Sequence, residues 1–144
     1  MKAYRFSLES VLEWRTGKEK EVSDRFNRKK LEIEEKNQEI ENLKEQYEES
    51  KKPDKNHRTA ADFMRTQAYR LSLSDKIEEE NKALQKLTAE LDSIREELIK
   101  AKKDKSAMEK LKEKDFDKYK EDLNHLEQNF LDEIATLRHT RKEG

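Results

Sequence analysis

Apolar residues recur along the first third of the chain at alternating steps of four and three. One seven-residue series runs Leu8, Arg15, Val22, Lys29, Lys36, Leu43, and a second runs Leu12, Glu19, Phe26, Ile33, Ile40, Tyr47. This is the spacing of a coiled-coil seam, in which two positions per heptad face a partner helix. The polar members Arg15, Glu19, Lys29 and Lys36 weaken that seam and are candidates for fixing its register. Glu, Lys, Gln and Arg fill the positions between, and all are good helix formers. The pattern predicts a helix from about residue 7 to about residue 52, about 69 Å long.

The pattern stops at Lys51-Lys52-Pro53-Asp54-Lys55-Asn56-His57, which holds the only proline of the chain. Proline lacks an N–H and its ring clashes with the preceding turn, so a helix running into Pro53 should end near Lys52. Asp54 and Asn56 add turn chemistry, and residues 53–58 are expected to form the turn. Thr59-x-x-Asp62 then reads as a capping box that starts a second helix.

That second helix is expected from about residue 59 to about residue 141, about 125 Å long. Its seam reads Leu73, Ile77, Leu84, Leu87, Leu91, Ile94, Leu98, Ala101 and Met108. Beyond Met108 the apolar face broadens through Leu111, Phe116, Tyr119, Leu123, Leu126, Phe130, Ile134 and Leu137. Ser72-x-x-Asp75 offers another capping box and so a second break near Leu73. The whole chain reads as one elongated all-α domain, an antiparallel two-helix coiled-coil hairpin.

Two registers fit the period. A close turn at Pro53 pairs residues whose numbers add to about 110, setting Leu12 against Leu98, Phe26 against Leu84, Ile33 against Ile77 and Tyr47 against Phe63. Flush chain ends need a total near 145, setting Leu8 against Leu137 and Phe26 against Tyr119. The two differ by about five whole heptads, so periodicity does not separate them. Short helix–helix connections favour the close turn. Burial of the C-terminal stripe favours flush ends, as does charge, since Lys100–Lys120 carries nine lysines against five acids and would face the acidic Glu32–Glu49. Exposed ion pairs contribute little, and the close turn is the expected register. In it, the second helix projects past its partner after about residue 102.

Composition narrows the function. Charged residues make up 47% of the 144 residues and hydrophobic ones 31%, with 7% aromatic, too little apolar surface for a globular core of this length. A narrow helical seam suits that balance. Lys plus Arg is 33 and Asp plus Glu is 34, a formal net charge of -1, which argues against general nucleic-acid binding. The lysines of the Lys100–Lys120 run alternate with acids, as ordinary helix-surface pairs do. With no cysteine, neither a disulfide scaffold nor a thiolate zinc site is possible. Residues 1–6 lack the apolar core of a signal peptide, and no run approaches the length of a membrane span, so a cytoplasmic protein is expected.

The residues offer no recognisable catalytic arrangement. The only glycines are Gly17 and Gly144, so a phosphate-binding glycine loop is absent. His57, His125 and His139 stand apart without ligand spacing, and Glu78-Glu79-Glu80 reads as a solvated helix face. Neither an enzyme nor a cofactor is expected. Two regions carry more apolar surface than one seam can bury. Leu111 to Leu137 often offers three apolar positions per heptad, and Tyr4, Phe6, Leu8, Val11, Leu12 and Trp14 crowd the first turns.

These same ends carry a resemblance. Tyr4-Arg5-Phe6-Ser7-Leu8-Glu9-Ser10-Val11-Leu12-Glu13-Trp14-Arg15, followed by Glu19, is similar to the opening of the FliJ family, of the form F-x-L-x-x-V-L-x-x-R with a glutamate shortly after. Met108-Glu109-Lys110-Leu111-Lys112-Glu113-Lys114, and later Glu127-Gln128-Asn129-Phe130-Leu131-Asp132-Glu133-Ile134-Ala135, looks like its C-terminal signature. The resemblance spans essentially the whole chain. It implies a component of the flagellar type III export apparatus, folded like the two-helix stalk of the rotary ATP synthase γ subunit. The implied partners are the hexameric export ATPase (FliI), the export-gate protein (FlhA) and export chaperones. The implied location is the cytoplasmic side of the inner membrane at the flagellar base, with membrane contact only through partners.

The expected contacts with the ATPase ring are Phe6, Leu12, Trp14, Leu123, Leu126, Phe130, Ile134 and Leu137, with Arg15 and Arg138 at the rim. For the gate, the resemblance implies positions near the hairpin tip. Tyr69, Leu73, Lys76 and Glu80 match on the second helix, with Lys76 and Glu80 departing from the family's residue types, and Leu43 and Tyr47 are nearest on the first. Leu43, Tyr47 and Leu73 read equally as seam residues. A structural tether or homodimer, and the stalk of a virulence secretion system, are the alternatives.

Overall fold

The computed structural model of the chain describes residues 3–53 and 59–143. It contains two helices, α1 (Glu9–Ser50) and α2 (Ala60–Glu143), and no strand among the described residues. Both begin and end within two residues of the positions expected from sequence, the usual fraying range. Helix α1 opens on Leu8, whose carbonyl accepts from the amides of Val11 and Leu12 at 3.0 Å. It closes with Lys51 and Lys52 donating to the carbonyls of Glu48 and Glu49, a tightened last turn, just before Pro53. Residues 54–58 of the expected turn, with Asp54, Asn56 and His57, lie outside the described residues.

Helix α2 starts as its capping box requires: the Asp62 amide donates to Thr59 Oγ1 at 3.2 Å. The second break near Leu73 does not occur. Ser72 and Asp75 are helical and exposed, and Leu73, only 6% exposed, anchors that turn.

The chain divides into two compact units. The first comprises residues 1–19 and 100–144. In it the start of α1 lies antiparallel to α2, and Phe6, Leu12 and Met108 form a small core with Tyr4 and Val11 packed against it. The second comprises residues 20–99, a helical hairpin in which Val22, Ile94 and Leu98 form the core with Phe26 beside them. Val22, at 2% exposure, is its most enclosed side chain.

The seam of each unit is pinned by polar pairs. In the first unit, Lys105 Nζ lies 2.9 Å from Glu19 Oε2, and Arg15 Nη1 donates to the Asp104 carbonyl at 3.0 Å. In the second, Lys29 meets Glu90 at 2.9 Å and Lys36 meets Glu80 at 2.6 Å. All four polar seam residues of α1 therefore have partners on α2.

The observed register corrects both expected ones. In each unit the paired residue numbers add to about 120, close-turned but shifted by about ten residues from the tightest pairing. Leu12 therefore packs near Met108 rather than Leu98, and Phe26 lies by Ile94 and Leu98 rather than Leu84. The cause is visible in the hairpin unit. Arg70 Nε donates to the Ser50 carbonyl at 3.0 Å, capping the last turn of α1. Ser50 at the end of α1 is thus set opposite Arg70, and Phe63, expected against Tyr47, is 60% exposed. Flush ends are excluded as well, because Leu137 is 63% exposed and Tyr119 packs on Tyr4.

Candidate docking surfaces

In the first unit, the non-helical residues before α1 lie along α2. The Tyr4 ring meets Phe116 edge-on at 5.0 Å and Tyr119 at 5.3 Å between centroids. Its hydroxyl lies 3.1 Å from Asp115 Oδ2 and within reach of the Lys112 carbonyl. Partial desolvation, and then the Asp115 carboxylate, push the Tyr4 phenol above its ordinary range. Lys112 also pairs with Glu9 at 2.9 Å. An open depression beside Tyr4 is lined by Arg5, Asp115, Lys118 and Asp122, mixed in sign and without a nucleophile–base pair.

Past Tyr119 the same face of α2 continues as a row of exposed and half-buried apolar residues. Met108, Lys112 and Tyr119 lie on the covered seam, and Leu123, Leu126, Phe130, Ile134 and Leu137 follow at steps of three and four. Leu126, Phe130 and Leu137 are 52%, 62% and 63% exposed, and Leu123 and Ile134 are half-buried. Arg138 is exposed on its flank.

The remaining residues expected at the ATPase ring divide. Phe6 and Leu12 are buried in the core and present little surface to a partner. Arg15 is engaged with Asp104. Trp14 faces outward at 68% exposure. Among the described residues nothing packs close to Gly17, three positions on, at the place a Cβ would occupy.

In the hairpin unit the residues expected at the gate also divide. Leu73 is buried, Leu43 and Tyr47 are half-buried, and Glu80 is held by Lys36. Lys36 is the first cause that holds the Glu80 carboxyl below its ordinary range. Tyr69 and Lys76 face solvent. Spacing set Phe63 in the seam and did not point to Met64 or Leu71, and the three are exposed to 60%, 71% and 64% near the start of α2. Met64 and Leu71 lie seven residues apart and share one helix face, which was the available signal.

Among the described residues no group of three or more His, Asp or Glu side chains is placed to hold a metal ion. Nor is any described helix long and apolar enough to cross a membrane. The chain has no match among curated proteins or among solved structures. A family model described as "Flagellar FliJ protein" matches residues 4–144, nearly the whole chain, which therefore belongs to the FliJ family of non-catalytic components of the flagellar export apparatus.

Proposed function

We propose that this chain acts within the export apparatus by binding the hexameric export ATPase, FliI, as a central stalk. The observation that supports this reading is the uncovered stripe from Leu123 to Leu137, which carries the seam face of α2 past the last residue that its own chain covers. Large exposed apolar faces on a helix mark docking to another protein. Binding the assembled or catalytically competent ring more tightly than its separate subunits shifts the population toward that state, and so promotes assembly or hydrolysis.

Leu126, Phe130 and Leu137 supply the central apolar contact, with Leu123 and Ile134 beside them and Trp14 and Arg138 on the same unit's surface. Phe6, Leu12 and Arg15 support that unit from within. Links to the gate protein FlhA and to export chaperones complete the role. Tyr69 and Lys76 are the gate-contact positions with most surface to offer, while Leu43, Tyr47, Leu73 and Glu80 shape the helix pair beneath them. The protein would act on the cytoplasmic side of the inner membrane and reach it only through these partners.

The test is ATP hydrolysis by the matching export ATPase at fixed enzyme concentration, with and without the chain. Stimulation by the native protein, lost in a Leu126→Asp/Phe130→Asp variant that keeps its circular dichroism, supports the reading. Equal rates with and without the native chain over a wide concentration range would exclude it.

A further inference from the structure

The uncovered stripe is irregular in a way that restricts what can cover it. From Leu123 the positions on the seam face fall at 126, 130, 134 and 137, with Leu131 and Ala135 off to one side, so the steps of the seam run three, four, four, three. A regular coiled coil alternates three and four, and the two consecutive steps of four interrupt it at Phe130. A partner helix follows the stripe only if its own irregularity lies opposite.

The sequence of steps reads the same in both directions about Phe130. Antiparallel pairing with a second copy, centred on Phe130, sets Leu123 against the second copy's Leu137 and Leu126 against its Ile134. The two Phe130 rings meet on the two-fold axis, and the interruptions coincide. A two-fold interface needs a self-complementary patch of this kind.

Charge selects the same orientation. Residues 121–133 carry Glu121, Asp122, Glu127, Asp132 and Glu133 and no Lys or Arg. Residues 134–142 carry Arg138, Arg141 and Lys142 and no acid. Parallel, in-register pairing would stack like charge on like along the whole length. Antiparallel pairing centred on Phe130 sets residues 134–142 opposite 118–126 of the second copy, so Arg138 is level with its Asp122 and five residues along from its Glu127, while residues 127–133 of the two copies face each other. The stripe is also continuous with the face that α1 and Tyr4 cover as far as Tyr119, so its geometry already suits a packed helix.

From these observations we infer that the exposed stripe of α2 pairs with a second copy of this chain, antiparallel and centred on Phe130. The contact covers few turns and lacks the area of a permanent dimer, so it forms and dissociates with concentration. It excludes any other protein from the stripe while it lasts, and an unbound pool of the chain thereby hides its own docking surface. The inference does not depend on which protein the stripe otherwise engages.

The chain has no cysteine, so single replacements report pairing directly. Full-length Phe130→Cys, Leu123→Cys and Leu123→Cys/Leu137→Cys variants are oxidised at concentrations where sedimentation equilibrium of the native chain shows dimer. All three positions are exposed or half-buried, and circular dichroism checks that the helices persist. The expected pattern is a covalent dimer from Phe130→Cys and from the double variant, and none from Leu123→Cys. Leu126→Asp/Phe130→Asp should weaken the dimer about tenfold or more, because it places carboxylates in an apolar contact. A native chain that stays monomeric at all concentrations overturns the inference. So does equal cross-linking from both single variants, which marks parallel pairing, and so does a dimer that Phe130→Cys fails to trap.

Discussion

Lys36 Nζ lies 2.6 Å from Glu80 Oε2, across the two helices of the hairpin unit. Displacing α1 against α2 by one heptad in either direction would set Lys36 against Leu73 or Leu87. An ammonium facing a leucine loses its partner and keeps its desolvation cost, so the pair discriminates among registers that an apolar repeat leaves equivalent. Charge reversal tests this. Lys36→Glu should lower the melting temperature, and Lys36→Glu/Glu80→Lys should recover most of the loss in a thermal unfolding experiment. A double variant as unstable as the single one would remove the pair from any role in register.

The same pairs set a pH response. Hydrogen bonds from Lys36 and Lys29 are the first causes that hold the Glu80 and Glu90 carboxyls below their ordinary value of 4.5. Their contribution is complete above that value and is lost as pH falls through the lowered ones. Lys29, Lys36 and Lys105 are raised above 10.5, first by Glu90, Glu80 and Glu19 respectively. Their contribution is complete below 10.5 and is lost as pH rises past it. Melting temperature against pH should therefore be flat through neutrality and fall at both ends. Glu80→Gln/Glu90→Gln should flatten the acid limb, and added salt should shrink both limbs because these groups meet solvent.

Val22 and Leu131 make a second contrast. Val22 is 2% exposed between Ile94 and Leu98, and Val22→Ala should cost about 2 kcal/mol in chemical denaturation. Leu131 is 58% exposed, and Leu131→Ala should stay within about 0.5 kcal/mol of the native chain. Similar losses at both positions would contradict the placement of the hairpin core.

Gly17 lies inside α1 with no positive φ and, among the described residues, nothing packed within 4 Å of where a Cβ would stand. Mid-helix glycine costs backbone entropy that alanine does not, so Gly17→Ala should raise stability by about 0.5–1 kcal/mol. A loss in the same denaturation experiment would point to a close approach at this turn.

Much of the seam was legible from spacing. Val22, Ile40, Leu73, Ile94, Leu98 and Met108 were placed on it by period, and all are buried. Arg15, Glu19, Lys29 and Lys36 stood out as polar interruptions and have partners across the pair. Register was not legible, because a seven-residue repeat fits many offsets equally. What sets it is local: Arg70 reaches the Ser50 carbonyl, and Lys36 and Glu80 find one another. The lie of Tyr4 on Phe116 and Tyr119 was hidden for a different reason, since a non-helical segment leaves no period to read. At the surface, spacing marked Phe6 and Leu12 as contact candidates, but an apolar side chain looks the same in sequence whether it faces a core or a partner. Their burial against Met108 separates them from Trp14, Leu126 and Phe130, which face outward.

The central claim is that the stripe at the end of α2 docks on the export ATPase. Its most direct test is calorimetric titration of the matching ATPase with three full-length chains: native, Leu126→Asp/Phe130→Asp, and Leu31→Asp, an equally apolar exposed site at 59% exposure in the other unit. The expected result is native affinity for Leu31→Asp and a loss of about tenfold or more for the stripe variant. Equal affinity for all three chains would contradict the claim and move the contact away from Leu123–Leu137.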